Sequence, residues 1–472
     1  MGRVVCFVIA VMFIAGIQTL ARASEIDILV KKLVVKRILT EQEAREVLDE
    51  TRKEVAKQKQ QEKQEIVETA KEEASKQLKD EVSEAVAVAK LRTPPENSFD
   101  VYWKDGVHFD TADKKFRLKI GGRIQADTAW MKQQTALKDL VGKKEHSAEF
   151  RRARLCVKGT IYDNFFFEAQ YDFAGGGNAE FKNVYMGLKG IPYLGRLKIG
   201  HYKEPFSLEE LTSSNFITFM ERSLPNAFAP QRNMGIQLNN TLFDKRVTWA
   251  AGVFRPSDDF GFSGSGWAAT GRLTGLPIYE DKGKKLLHLG AAYSFRDPRG
   301  TLRYRERPEC HLAPRFVNTD SFDTDYASLF GIEAALVYGS LSIQSELIQS
   351  FVDQSHSNSS HTYFPGVYVY GSYFITGEHR EYKKSSGKFT RVRPKKNFSI
   401  KDRTFGALEA AVRYSYLDLD DKNIDGGIVS DVTVGLNWYL NPNMRLMGNY
   451  IHSNRNSVGS ADILEGRCQI DF

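Results

Sequence analysis

The sequence predicts an all-β protein, an antiparallel transmembrane β-barrel of about 16 strands preceded by an N-terminal α-helical coiled-coil stalk. The last nine residues, 464–472, alternate between apolar or small and charged or polar side chains and end on the aromatic Phe472. The same alternation recurs along most of the chain after residue 115. Beyond the N-terminus, no segment holds the ~18 consecutive apolar residues that a transmembrane helix needs. Because successive side chains of a strand point to opposite faces, these strands suit a wall with lipid outside and water inside.

The first 23 residues are predicted to be a secretory signal peptide. Arg3 precedes an apolar run from Val4 to Ile17, and Ala21-Arg22-Ala23 has the small residues of a cleavage site. The run is too short to be a membrane anchor, and its flanks fit export. We therefore expect a mature chain that begins at Ser24 and is delivered to the bacterial outer membrane.

Residues 24–92 are predicted to form a helical segment in the periplasm. They contain no glycine, proline or aromatic residue and are rich in Glu, Lys, Gln and Ala, which are good helix formers. Thr40 and Glu43 fit a capping box, so a short helix from about Ile26 to Ile38 should precede a long second one. Thr93-Pro94-Pro95 then stops the helix and begins a linker that runs to residue 115.

Apolar residues at helical spacing form a stripe along the second helix. The stripe consists of Ile66, Ala70, Ala74, Leu78, Val82, Ala85 and Ala89. A single helix cannot bury such a stripe, whereas association with copies of itself as a coiled coil would bury it. The alternative is a partly ordered charged helix, because the stretch from Lys57 to Glu65 has no apolar residue. This segment is also the part of the chain that would contact peptidoglycan.

From Phe116 onward the sequence period changes to two. Phe116, Leu118 and Ile120 face one way, while Arg117 and Lys119 face the other. We count about sixteen such runs, an even number, as single-chain bacterial barrels require. After the first, they lie near 148–161, 165–173, 179–189, 195–203, 233–241, 246–254, 267–274, 286–296, 328–338, 341–351, 366–376, 404–417, 428–440, 443–453 and 461–472.

The lengths of the connections give an independent indication of barrel topology. If both termini are periplasmic, even-numbered connections should be short and odd-numbered ones long. The short ones are 162–164, 242–245, 339–340 and 441–442, and the long ones are 131–147, 204–232, 297–327 and 352–365. The Lys- and Arg-rich stretch 377–403 breaks this alternation, because it is long where a short turn is expected.

Charged side chains on the strands are expected to face the lumen, because they would be costly against lipid. Arginines at intervals along a confined aqueous path would pass an anion from one guanidinium to the next. The basic residues on this face are Arg117, Lys119, Arg123, Arg152, Arg154, Lys158, Arg196 and Lys198, with Arg151 at the rim and Arg296, Arg299, Arg303, Arg305 and Arg307 in a long loop. Glu168, Gln170 and Asp172 oppose them. The alternative is that the arginines only hydrate the lumen and pair with carboxylates.

The connection 204–232 is predicted to fold into the barrel and narrow the channel. Its middle part, Phe216 to Arg222, is apolar with a charged end, and Leu224-Pro225 and Phe228-Ala229-Pro230 follow. So many apolar groups are poorly suited to a free surface loop. A surface lid or a trimer clasp is the competing explanation.

Several motifs resemble the phosphate-selective porin O/P family, in family order over roughly 110–472. They are Phe150-Arg151-Arg152-Ala153-Arg154, Lys203-Glu204-Pro205-Phe206, Thr212-Ser213-Ser214, Met220-Glu221-Arg222-Ser223, Arg305-Glu306-Arg307-Pro308-Glu309 and Leu436-Asn437-Trp438-Tyr439-Leu440. The resemblance implies sixteen-stranded homotrimeric pores of the outer membrane. It also implies an inward-folded third loop, with an arginine ladder that leads anions to basic and hydroxyl groups at the constriction.

The resemblance further implies a set of pore and anion-binding residues. Arg123, Arg151 and Arg152 match arginines of the barrel wall, and Arg154 joins them by its place on the lumen face. Ser213, Ser214 and Arg222 match the constriction loop, and Arg296, Arg305 and Arg307 match the ladder. The chain departs from the phosphate-specific pattern at Glu210 and Asn215, where basic groups are expected, and at Phe166, where a lumen lysine is expected.

The expected function is an outer-membrane porin, a water-filled channel for passive diffusion of small hydrophilic solutes that prefers phosphate or other small anions. The alternative is a structural outer-membrane anchor whose N-terminal coiled coil tethers the envelope to peptidoglycan. The sequence offers no nucleophile–base set, and Cys156, Cys310 and Cys468 have no metal-site spacing, so neither an enzyme nor a cofactor is expected. The mature net charge of about +5 is too small to indicate nucleic-acid binding.

Overall fold

The computed structural model describes residues 27–91, 98–175, 178–255, 266–355 and 361–472. The chain divides into two compact units, Met1–Pro95 and Glu96–Phe472. The predicted signal peptide, 1–23, and the helix-stopping Thr93-Pro94-Pro95 lie outside the described residues.

The N-terminal unit is helical over 27–35 and again over Glu41–Leu91. The predicted capping box starts the long helix. The Thr40 N–H donates to Glu43 Oε2 over 2.9 Å, and the Glu43 N–H donates to Thr40 Oγ1 over 3.3 Å. These two bonds satisfy backbone groups that the first turn of a helix leaves free, so the sequence placed the start of this helix correctly.

The apolar stripe of the long helix lies on the surface of this chain. Ile66, Leu78 and Val82 are all exposed. The side chains of Ala85 and Ala89 lie outside the described residues. The coiled coil therefore stays a prediction. Among the helices that the structure describes, none is both long enough and apolar enough to cross a membrane.

In the described part of the C-terminal unit, sixteen antiparallel strands form a closed barrel. Each strand pairs with the next in the sequence, and the last pairs with the first, with Asp471 opposite Arg123. The strands are β1 Arg117–Gln133, β2 His146–Ile161, β3 Phe165–Asp172, β4 Glu180–Ile191, β5 Gly195–Lys203, β6 Arg232–Leu242, β7 Val247–Arg255, β8 Trp267–Glu280, β9 Lys285–Asp297, β10 Phe322–Tyr338, β11 Leu341–Gln354, β12 His361–Phe374, β13 Ala407–Asp421, β14 Ile424–Asn441, β15 Met444–Arg455 and β16 Gly459–Asp471. The predicted barrel and its strand count are confirmed.

The two-sided pattern is clearest in β16. Leu464, Cys468 and Ile470 are exposed on the outer face, while Glu465 and Arg467 are buried on the inner face. Apolar side chains on the outer face meet hydrocarbon, and polar side chains on the inner face meet water or one another. The alternation of the sequence therefore translates directly into the two faces of the wall.

Residues 99–111, which the sequence assigned to a linker, instead form a β-hairpin that extends the wall of the barrel. Phe99–Trp103 pairs with Val107–Thr111, which pairs in turn with the start of β1. Asp105 and Gly106 make the turn with φ angles of 54° and 136°, which aspartate and glycine tolerate better than other residues. Alternation over only five residues is too short to distinguish such strands from a linker.

The connections alternate between long and short from β1 to β12, as the sequence indicated. The alternation then fails: 375–406, between β12 and β13, is long and contains the anomalous stretch 377–403, and the three connections after it, 422–423, 442–443 and 456–458, are all short. No strand was miscounted, and the segment is long because it folds into the lumen. The remaining short elements are the helices Thr135–Val141 and Leu208–Leu211, the 3-10 turns Leu224–Ala227, Asp281–Gly283 and Lys384–Ser386, and the strands Gly300–Leu302, Arg305–Glu306, Val317–Asn318, Tyr382–Lys383 and Lys388–Phe389.

Candidate functional site

The lumen holds a cavity of about 790 Å³. One side of it is the inner face of β1–β6, and the other side consists of three connections that fold inward, 204–231, 298–321 and 375–406. Within the described ranges, no side chain of β7–β15 lines the cavity. The inward-folded connections cover that wall, so the open path follows β1–β6.

Basic side chains outnumber acidic ones in the lining by seventeen to seven among the described residues. The basic ones are Lys119, Arg123, Arg151, Arg152, Arg154, Lys158, Lys182, Lys198, Lys203, Arg222, Arg232, Arg305, Arg307, Arg315, Lys383, Lys388 and Arg391. The acidic ones are Asp105, Glu168, Glu210, Glu221, Glu306, Glu309 and Asp471. A confined aqueous space with this excess carries a positive potential.

Side chains of the barrel wall hold the connection 204–231 inside the lumen. Arg445 on β15 donates to the Ile217 carbonyl oxygen over 2.9 Å, and Asn437 on β14 donates to that of Thr218 over 2.8 Å. At the start of its helical turn, the N–H of Leu208 donates to the Glu346 carboxylate over 2.9 Å. These bonds satisfy backbone groups that a buried loop would otherwise leave unpaired, and they explain why the loop lies inside the barrel.

Glu221 joins this loop to the wall through three arginines. Its carboxylate lies 2.9 Å from Arg151, 3.4 Å from Arg152 and 2.7 Å from Arg467. Burial alone would raise the pKa of this carboxyl, but the three guanidinium groups outweigh burial and hold the pKa well below its ordinary value. Glu221 is therefore an ionised anchor that neutralises part of the arginine wall.

Glu210, at the position that departs from the phosphate-specific pattern, lies between two cations. Its carboxylate oxygens are 2.7 Å from Lys203 Nζ and 3.0 Å from Arg222 Nε. Burial opposes its ionisation, but Arg222 and Lys203 outweigh burial and lower its pKa. With only 2% of its surface exposed, Glu210 acts as an internal counter-ion and not as a free negative charge in the channel.

Three further basic side chains of the lining, Arg123, Arg232 and Lys198, have no carboxylate within 4.0 Å among the described residues. Arg123 donates to Ser214 Oγ over 2.7 Å, which brings a guanidinium and a hydroxyl together at the loop. Arg232 donates to Asn183 Oδ1 over 2.8 Å. Lys198 Nζ lies 3.6 Å from the centre of the Tyr202 ring. Their positive charges are available to a solute, because only neutral groups contact them.

The connection 298–321 carries the predicted ladder arginines. Arg305 and Arg307 line the cavity, and Arg315 joins them by donating to the Arg305 carbonyl oxygen over 3.2 Å. Arg296, at the end of β9, is instead paired with Glu204 at 3.0 Å and does not line the cavity. The arginines of this connection that line the cavity are therefore Arg305, Arg307 and Arg315.

The connection 375–406 packs against both the wall and the constriction loop. Arg380 donates to Gln344 Oε1 on β11 over 3.0 Å. Tyr382 and Phe389 form an apolar cluster with Leu208 of the constriction loop. Lys383, Lys388 and Arg391 of this connection line the cavity. Two features of the stretch 377–403 indicate this role: its basic composition and its length on the side where turns are short.

Nine of the ten predicted site residues line the cavity, Ser213 among them, and Arg296 does not. Arg151, Arg152, Arg154 and Arg222 are paired with carboxylates. The sequence left open whether the lumen arginines only pair with carboxylates, and for these four arginines that alternative matches the geometry.

The selection of site residues missed ten basic residues of the lining: Lys119, Lys158, Lys182, Lys198, Lys203, Arg232, Arg315, Lys383, Lys388 and Arg391. Strand parity had placed Lys119, Lys158 and Lys198 on the lumen face, although they were not selected as site residues, whereas residues in irregular connections have no such periodicity.

Raising the pH from about 6 to about 9 is expected to lower the anion-to-cation permeability ratio by roughly twofold. Burial raises the pKa of Glu306 to about 7 against the opposing effects of Arg307 and Arg315, so its carboxyl becomes negative over this range. Burial also lowers the pKa of Lys388 to about 8, so its ammonium loses its charge. Both changes make the net charge of the lining less positive. Reversal potentials at several pH values test this, and the double variant Glu306→Gln, Lys388→Gln should make the profile shallower; an equally steep profile would contradict the assignment.

Comparisons with known proteins match the C-terminal unit. The family model for phosphate-selective porin O and P matches residues 118–472. Porin O of Pseudomonas aeruginosa is 26% identical over 396 residues, covering 75% of this chain and 87% of that protein. An uncharacterised protein of Caulobacter vibrioides is 29% identical over 373 residues, covering 76% of this chain and 72% of that one.

Among solved structures, a loop L8 deletion mutant of OmpT, an outer membrane protein of Vibrio cholerae, is similar with a TM-score of 0.50. The match covers 76% of this chain and 100% of that chain at 12% identity. At this identity the similarity concerns the fold alone.

Proposed function

Because this chain belongs to the phosphate-selective porin O and P family and is a channel of the outer membrane for small solutes, we propose that its lumen prefers anions. The observation that carries the proposal is the excess of basic over acidic side chains in the lining of the cavity. A positive potential in a narrow aqueous path concentrates anions and repels cations. Phosphate and other small inorganic anions are the proposed solutes.

Opposed like charges on β1 and β2 support this proposal. Lys119 lies opposite Lys158, and Arg123 lies opposite Arg154. Like charges directly opposite one another destabilise a sheet. Asp172 relieves Arg154 at 2.6 Å, but neither lysine has a carboxylate within 4.0 Å in the described part of the chain. An anion passing between the two lysines would relieve their repulsion.

The proposed route of an anion uses the basic residues at three places. Arg305, Arg307 and Arg315 attract it on the connection 298–321. Arg123 and Ser214 then offer a guanidinium and a hydroxyl at the constriction loop, with Arg151, Arg152, Arg154, Ser213 and Arg222 around them. Lys119, Lys158, Lys198, Lys383 and Lys388 provide further positive charge along the same cavity. Guanidinium groups suit this role because they remain charged and offer several donors to oxyanions.

Reversal potentials across a planar bilayer with a KCl gradient test the preference directly. We expect the potential to have the sign of a chloride-selective pore, and micromolar to millimolar phosphate to reduce the chloride current because a tighter-binding anion occupies the same path. A cation-selective reversal potential would refute the proposal while leaving the fold and the family untouched.

We propose further that the channel is a homotrimer with its N-terminal helices in the periplasm. The stripe containing Ile66, Leu78 and Val82 is exposed in the single chain, and neighbouring copies in a coiled coil would cover it. The molar mass of the detergent-solubilised protein from light scattering should equal three chains. Loss of the trimer on deletion of 24–92 would assign the contact to this segment.

A second candidate function, a tether between outer membrane and peptidoglycan, is favoured by the length of the helix. Glu41–Leu91 has 51 residues and spans roughly 75 Å at 1.5 Å per residue. Deleting 24–92 from the mature protein separates the two roles. Unchanged single-channel conductance with a detached envelope would favour the tether, and an intact envelope would exclude it.

A further inference from the structure

An acidic residue from outside the sixteen barrel strands reaches the lining of the cavity. Asp105 lies in the turn of the hairpin formed by Phe99–Trp103 and Val107–Thr111. Its carboxylate is 2.6 Å from Arg393 Nη2 and 3.5 Å from Arg391 Nε. Both arginines belong to the inward-folded connection 375–406, so the hairpin and this connection meet through a cluster of charges.

Arg391 is the centre of this cluster. Besides Asp105, it contacts the Asp471 carboxylate on β16 and donates to the Pro442 carbonyl oxygen. Its guanidinium also lies 5.3 Å from the ring centre of Phe216 in the constriction loop. Four elements of the fold therefore meet at one side chain that lines the cavity.

The contact with Asp105 is not needed to hold these elements in place. The hairpin is attached to β1 by backbone pairing from Val107 to Asp110. Arg391 keeps Asp471 and the Pro442 carbonyl oxygen as partners without it. The side chain of Arg393 is 52% exposed, and ion pairs at such positions contribute little to stability. What the carboxylate of Asp105 changes is the charge at this end of the lumen.

We propose that Asp105 is a specificity-determining residue of the channel. This inference rests on the proposed anion preference. The cations facing Asp105 are Arg391, Arg393 and Lys119, and its carboxylate offsets part of their charge. The hairpin thereby limits how strongly this mouth of the lumen attracts anions. The hairpin begins only eight residues after the end of the long helix in the sequence.

The test compares Asp105→Asn with Asp100→Asn, an equal change of charge at an exposed position of the same hairpin that does not line the cavity. Asparagine retains the size of the side chain and one acceptor for Arg393. We expect Asp105→Asn to raise the chloride-to-potassium permeability ratio by roughly twofold to fourfold, and Asp100→Asn to leave it unchanged. Folding is checked for both by the heat-modifiable mobility of the barrel on gels.

Two further readouts separate charge from geometry. The difference between Asp105→Asn and the unaltered protein should shrink from 0.1 M to 1 M salt, because the screening length falls from about 10 Å to about 3 Å. Asp105→Glu, which keeps the charge, should retain the original ratio. Should Asp105→Asn fail to fold, Arg393→Gln at the exposed partner is expected to lower the ratio.

An unchanged or lowered ratio in folded Asp105→Asn would overturn the inference, as would a shift that persists at 1 M salt. A cation-selective unaltered protein would refute the proposed function, but the shift produced by Asp105→Asn would still be measurable relative to it. The two failures are therefore distinguishable in the same recordings.

Discussion

Replacing residues 377–406 by an Asn-Gly turn is expected to raise the single-channel conductance at least about threefold and to lower the anion preference. The connection 375–406 covers the inner face of the wall beyond β6, and its removal opens that part of the lumen to water. It also removes Lys383, Lys388 and Arg391 from the lining and leaves Asp105 without its partners. The pore should therefore become wider and less positive at the same time.

The barrel is expected to tolerate this deletion. Ile375 donates to the Leu408 carbonyl oxygen over 2.8 Å, so a two-residue turn after Thr376 continues the existing pairing of β12 and β13. The wall that becomes uncovered carries polar groups that water can solvate, including Gln344 and the ion pair between Arg272 and Glu333. It also carries an apolar patch that includes Leu286 and Val337, which Tyr382 and Phe389 cover in the unaltered protein. The matched control replaces Lys422-Asn423, which is already a two-residue turn, by the same Asn-Gly sequence. A deletion variant with unaltered conductance would show that the connection does not obstruct the path.

Glu221→Gln is expected to loosen the constriction loop, with raised conductance, frequent flickering between levels and an earlier thermal transition of the barrel. The substitution leaves Arg151 and Arg152 without the carboxylate that neutralises them, and it leaves Arg467 with Asp127 alone. Breaking a buried ion pair from one side costs about 3–5 kcal/mol, because the remaining charges stay in a poorly solvated place. Glutamine is neutral, so the loop loses its ionic attraction to these three arginines of the wall.

Single-channel recordings measure the conductance and the flickering, and the heat-modifiable gel shift separately measures the thermal stability of the barrel. Asp163→Asn, at an exposed turn between β2 and β3, makes the same change of charge and should leave both unaltered. If Glu221→Gln channels have normal conductance and do not flicker, the hydrogen bonds from Arg445 and Asn437 to backbone carbonyl oxygens of the loop are sufficient to hold it.

The local features of this molecule could be predicted from its sequence because they depend on neighbouring residues. Alternation of side chains determines which face of β16 meets lipid, and the same rule located the other fifteen strands. The capping box of Thr40 and Glu43 acts within one turn of helix. The basic stretch 377–403 was recognised as an anomaly, although its destination in the lumen was not. The hairpin 99–111 was missed, because two strands of five residues carry too little periodicity.

The sequence alone determined the wall of the barrel. The positions of the strands, their order and the faces that meet hydrocarbon and water all follow from a period of two. Tertiary structure alone decided which charges inside that wall remain available. Arg467 meets Asp127 from a position 340 residues away, and Glu221 of the constriction loop meets arginines of two strands, β2 and β16. Electrostatic energy depends on distances of a few ångströms, and only barrel closure and the inward-folded connections set those distances.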